Sequence, residues 1–98
     1  MENIKIRTYI TPRCLKNIWP QNKFVYTIEC YTSNRIWSDS CFSLTSFLGI
    51  KIENYIEAMK VKFDCIESQG KIFYSTKQEC EQAIKFIDSI KIMNELSR

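Results

Sequence analysis

The chain has no histidine in its 98 residues. That removes the commonest general base and the usual partner of a serine or cysteine nucleophile. Glycine and proline are nearly as scarce, with two of each. Gly49 and Gly70 are too few and too far apart for a phosphate-cradling loop. Pro12 and Pro20 do not make a linker, and no segment repeats. The longest uncharged run, residues 36–50, is broken by Asp39 and rich in serine, so it is too polar to span a bilayer. The start, MENIKIRTYI, alternates apolar with charged or polar residues and has no apolar core of the length a signal peptide needs. Cysteine is present five times, at positions 14, 30, 41, 65 and 80, but without a Cys-x-x-Cys pair. An odd, irregular set reads as reduced thiols that serve mostly as small core hydrophobes. These absences lead us to expect a cytoplasmic protein with no catalytic residues, no metal and no cofactor.

What is present is an ordinary folding composition. Apolar residues make up 45% and charged residues 26%, enough for one modest core and not two. The expectation is a single domain over residues 1–98. The clearest stretch is TKQECEQAIKFIDSI, residues 76–90. Thr76 and Glu79 have the spacing of a capping box. Behind them Cys80, Ala83, Ile84, Phe86, Ile87 and Ile90 fall on one helical arc. Cys80 lies in the first turn, where a helix dipole activates a thiol, but also on the apolar stripe, so a buried structural role is expected. After Ile90 the pattern changes: Lys91 enters the arc, and Ile92, Met93 and Leu96 rotate away from it. Either the helix ends there or these three cover something else, and they are the candidate contact for a homodimer.

Upstream, Ile4, Ile6, Thr8 and Ile10 alternate with Lys5, Arg7 and Tyr9, which predicts a strand with one buried face. Thr11-Pro12 ends it, a short helical turn over 12–18 is expected, and residues 19–22 form a loop. KFVYTIECYT, residues 23–32, predicts a second strand. Phe24, Tyr26, Ile28 and Cys30 share one face, and Val25, Thr27, Glu29 and Tyr31 share the other. Ser33-Asn34 reads as a two-residue turn into a third strand over 35–42. A short helix is expected over 43–49, closed by Gly49, and a second over 50–63 with Ile52, Tyr55, Ile56, Met59 and Phe63 on its buried face. Residues 64–68 and 71–75 form a hairpin around Gln69-Gly70. The order is β-β-β-α-α-β-β-α: an α+β fold, an antiparallel sheet with helices packed on one face.

Charge is uneven. Residues 1–42 hold six basic and three acidic residues, and residues 43–98 hold eight of each. Cations interleaved with aromatics, Lys5, Arg7, Tyr9, Arg13, Lys16 and Lys23, give one candidate set for binding single-stranded or structured nucleic acid. Trp, Tyr and Arg dominate protein interfaces. They give the other candidate set, a partner-binding surface of Arg13, Lys16, Trp19, Lys23, Tyr31, Arg35 and Trp37. The carboxylate pair Glu53 and Glu57, one helical turn apart, reads as solvated helix surface.

Two resemblances follow from these residues. Leu44, Leu48, Gly49 and Ile50 stand where a helix-turn-helix places its apolar positions and turn glycine, and the hairpin over 64–75 would be a wing. Residues 43–75 thus resemble a degenerate winged helix-turn-helix, with Thr45 where a small alanine is usual and Glu53 and Glu57 on the would-be recognition helix. In size, in its lack of catalytic groups and in the A/T-rich coding implied by abundant Ile, Lys and Asn, the chain also resembles the small accessory proteins of phages and mobile elements of low-GC bacteria. Many of those, such as anti-CRISPR proteins, inhibit a host defence protein. That resemblance implies a non-catalytic inhibitor whose partner is a host protein, for instance a nucleic-acid-processing defence complex.

Overall fold

The computed structural model describes residues 3–96. Five strands and three helices follow in the order β1 (Ile4–Ile10), β2 (Phe24–Tyr31), β3 (Trp37–Ser38), α1 (Cys41–Leu48), α2 (Ile52–Lys62), β4 (Cys65–Ser68), β5 (Lys71–Tyr74) and α3 (Lys77–Leu96). A short 3-10 turn, Arg13–Leu15, follows β1. The strands form one antiparallel sheet of order β1-β2-β5-β4, and β3 pairs with the end of β2. The expected α+β architecture is present.

The helices cover one face. Ile4, Ile28, Cys30, Ile72 and Tyr74 of the sheet meet Cys41, Leu44 and Leu48 of α1, Tyr55 and Met59 of α2, and Cys80, Ala83 and Ile87 of α3. The alternation read in residues 24–31 is the reason: Tyr26, Ile28 and Cys30 enter this core, Phe24 on the same face stays exposed, and the odd positions emerge on the opposite face. There the segment after β1 folds back, so that Leu15, Val25 and Phe73 make a second small cluster with Tyr9, Trp19 and Ile66 against it. The predicted buried face of β1 is only half covered. Ile4 is buried, whereas Ile10 overhangs the helices and is 61% exposed.

Several boundaries differ from expectation. The turn after β2 holds three residues, not two. The Arg35 N–H donates to the Thr32 carbonyl at 3.0 Å, the Thr32 N–H donates to the Ile36 carbonyl at 2.8 Å, and Arg35 sits at φ 63°. This is a turn followed by a left-handed residue. The third strand is two residues long instead of spanning 35–42. Asp39 leaves the strand path, its side chain drawn to Tyr9, Thr27 and Lys71. Ser40 then caps α1 by accepting from the Ser43 N–H at 3.1 Å, so the helix starts at Cys41. Gly49 closes α1 at φ 72°, as its sequence position requires. Gln69 and Gly70, at φ 53° and 80°, make the tight turn of the β4–β5 hairpin.

The last helix also runs past Ile90, to Leu96. Its start is the predicted cap, with the Glu79 N–H donating to the Thr76 hydroxyl at 3.1 Å. Its extension has a cause in α1. The Lys91 ammonium donates to the Phe47 carbonyl at 3.0 Å and the Asn94 amide to the Leu48 carbonyl at 2.6 Å. Carbonyls at a helix C-terminus lack intrahelical partners and carry partial negative charge. Lys91 lies on the inward arc because it caps a neighbour. Ile92, Met93 and Leu96 stay exposed.

Candidate partner-binding surface

β2 separates the predicted binding residues into two groups. Tyr31, Arg35 and Trp37 lie at its C-terminal end. Arg13, Lys16, Trp19 and Lys23 lie beyond its N-terminal end, roughly 20 Å away along a strand that rises about 3.3 Å per residue.

The distant group is partly structural. The Lys23 ammonium donates to the Ser75 carbonyl and tethers the loop to the end of β5. Trp19 is half-buried against Leu15, Val25 and Phe73. Arg13 and Lys16 are exposed and make no ion pair among the described residues.

The open face between the groups holds two buried carboxylates that the sequence reading left unassigned. Glu29 lies opposite Lys5 in the β1–β2 register and takes ion pairs from Lys5 at 3.6 Å and Arg7 at 4.0 Å. Asp39 accepts from the Tyr9 hydroxyl at 2.6 Å and the Thr27 hydroxyl at 3.3 Å, and pairs with Lys71 at 3.3 Å. Burial by itself would raise the Asp39 carboxyl. The Tyr9 hydroxyl, the Lys71 ammonium and Thr27 together outweigh it and hold the group below its ordinary value. Burial and the bond to Asp39 raise the Tyr9 phenol in turn. Lys5 and Arg7 of the basic strand face therefore share one carboxylate of their own sheet, that of Glu29. The positive spacing of Lys5 and Arg7 was legible, but their partner, 24 and 22 residues away, was not.

At the Tyr31 end the arrangement is different. Tyr31 and Trp37 face each other across β2 and β3 with ring centroids 5.3 Å apart, and the Lys5 ammonium lies 4.1 Å from the Trp37 ring. Beside this pair a cleft of about 390 Å³ opens between the β2–β3 hairpin and α1. Tyr31, Ile36, Phe42 and Phe47 supply its apolar lining, and Ser38, Ser43 and Ser46 its polar edge. Tyr31 is 41% exposed, Ile36 57% and Phe42 72%. The sequence reading missed Ile36 and Phe42 because it put both inside a strand. The extra turn residue and the early start of α1 are what turn them outward.

Three of the thiols are held in the protonated form by burial. Burial pushes Cys41 and Cys80 up to about 12 and Cys65 up to about 11. Among the described residues no three Cys, Asp or Glu side chains are grouped as metal ligands are.

In the region that resembles a winged helix-turn-helix, α1 and α2 lie in the helix layer and the would-be wing, β4 and β5, belongs to the sheet. α2 buries Tyr55 and Met59 and leaves Glu53, Glu57, Lys60 and Val61 exposed, while β5 of the would-be wing pairs with β2. Among the described residues no helix is long and apolar enough to cross a membrane. Comparison with protein-family models, with curated proteins and with solved structures finds no match to this chain.

Proposed function

We propose that the chain is a non-catalytic binding protein that acts by occupying the surface of a partner protein, with the Tyr31–Ile36–Phe42–Phe47 cleft as the contact. The observation that carries this reading is the clustering of large apolar side chains around one cleft, with Ile36 and Phe42 more than half exposed and Tyr31 and Phe47 less so, a serine rim and an aromatic pair beside it. An apolar centre with a polar rim is how protein interfaces are built. Full burial of an exposed Phe or Ile side chain supplies about 1.5–3 kcal/mol, of which Phe42 and Ile36, partly covered already, have the larger share still to gain. The biological setting we propose is that of a phage or mobile-element accessory protein that inhibits a host defence protein in the host cytoplasm. Small size, A/T-rich coding and the lack of histidine support it.

Phe42→Asp and Ile36→Asp test the contact. Both side chains are exposed, so the thermal midpoint should stay within a few degrees while partner affinity falls at least tenfold. Retained affinity in both variants removes the cleft from the interface.

A second reading, nucleic-acid binding through the basic N-terminal third, draws support from exposed Arg13 and Lys16. Its test is Arg13→Glu with Lys16→Glu. Lys23 is left intact because it holds the loop to β5. Nucleic-acid affinity that falls steeply with salt and with this double change would favour that reading.

A further inference from the structure

β1 is an edge strand, and its outer row of backbone groups has a definite composition. The Asn3 carbonyl accepts from the Tyr31 N–H, and the Thr11 N–H donates to the Lys23 carbonyl, each at 2.9 Å. Odd-numbered residues of this segment therefore turn their backbone groups toward β2. In an antiparallel pair the intervening residues point theirs the other way. The N–H and C=O groups of Ile6, Thr8 and Ile10 face outward on the accessible part of this edge, Ile4 being buried, and no described strand pairs with it.

The side chains along the edge sort by face. On the helix side, half-buried Ile6 is followed by Ile10, which is exposed and paired in register with exposed Phe24. On the open side stand Lys5 and Arg7, two half-exposed cations that share the single carboxylate of Glu29 and leave one positive charge uncompensated. We propose that this edge accepts an extended acidic segment of a partner protein as a sixth strand, with alternate residues apolar beside Ile6 and Ile10 and acidic beside Lys5 and Arg7. The inference rests on the partner-binding reading above and adds a second element to it. Lys5 joins the two regions through its contact with Trp37.

Three features select this occupant. A polypeptide strand offers both donors and acceptors to an alternating row, whereas phosphates only accept. A second copy of β1 would bring Lys5 and Arg7 toward Lys5 and Arg7, and like charges across strands repel. An acidic strand instead meets the excess positive charge.

The test uses the full chain and a seven-residue synthetic peptide of alternating Glu and Val, with a Lys–Val peptide as control. The expected result is binding of the Glu–Val peptide, at least tenfold weaker binding of the Lys–Val peptide, and slowed amide exchange at Ile6, Thr8 and Ile10. N-methylation of alternate peptide residues should abolish binding in one phase of the alternation and spare it in the other. Thr8→Pro removes one outward N–H and leaves the ladder to β2 intact, so it should weaken binding at least tenfold. Phe42→Asp should leave peptide binding unchanged, which keeps this test separate from that of the cleft. Absence of Glu–Val binding, equal binding of the two peptides, insensitivity to N-methylation, or protection of those three amides by an oligonucleotide instead would overturn the proposal.

Discussion

Asp39 ties more of the open face together than any other charged residue there. Its buried carboxylate joins β1 through Tyr9, β2 through Thr27 and β5 through Lys71. Replacement by Ala strands three donors, and removing one member of such a buried set costs about 2–4 kcal/mol. Little of that comes from the ion pair itself, because the Lys71 side chain is substantially exposed and solvent screens it. The pH dependence follows from the directions of the shifts. Asp39 titrates below its ordinary value, so its contribution is complete above about pH 3.9 and is lost as pH falls through its folded pKa. Tyr9 and Lys71 titrate above theirs, so their contributions are complete below about pH 10 and are lost as pH rises further. Thermal midpoints of Asp39→Asn should lie below those of the unaltered chain near neutral pH, with the two curves converging in acid. Parallel curves from neutral to acid pH would contradict the role given to Asp39. The sequence marked Ser38-Asp39-Ser40 only as a polar patch. The partners lie 30, 12 and 32 residues away, and no local rule connects them.

At the scale of elements, the helices were the most legible part because their periodicity is a local property. α2 and the body of α3 follow their apolar spacing, and Thr76, Gly49 and Gly70 mark boundaries by side-chain and backbone chemistry that acts within a few residues. The errors fall where one element ends because of another. β3 stops early because its next residue belongs to a tertiary hydrogen-bond network. α3 continues past its apolar arc because Lys91 and Asn94 satisfy the carbonyls at the end of α1. Asn94→Ala removes one of those bonds and leaves the Leu48 carbonyl without it, a loss of about 1 kcal/mol. Amide exchange should accelerate in the last turn of α3 and at the α1–α2 junction, and remain unchanged in the sheet. Unchanged exchange at both ends would mean that the two helices are not coupled in this way.

For the whole molecule, the division into a helix-covered face and an open face decides what is available for binding. The pattern of β2 displayed that division, and with it the outward position of Tyr31. It did not display the cleft, whose walls, all within residues 30–47, depend on the extra turn residue before Ile36 and on the start of α1 at Cys41. The same division governs the thiols. Cys30, Cys41 and Cys80 are buried under the helices, Cys65 is partly covered, and Cys14 is exposed on the open side with its sulfur 3.2 Å from the Ser68 hydroxyl. Alkylation of the native chain should therefore modify Cys14 first and leave Cys30, Cys41 and Cys80 intact until unfolding. Early modification of any of those three, read by mass mapping, would contradict the packing of the main core.

The most direct measurement of the central claim is a side-by-side capture from lysate of a low-GC bacterium that carries defence systems. Three baits are compared, the unaltered chain, Phe42→Asp and Arg13→Glu/Lys16→Glu, each with and without nuclease. The account predicts a stoichiometric protein band that survives nuclease, persists with the Arg13/Lys16 variant and disappears with Phe42→Asp. A band that survives in Phe42→Asp, or one lost with nuclease and with the Arg13/Lys16 variant, would contradict it.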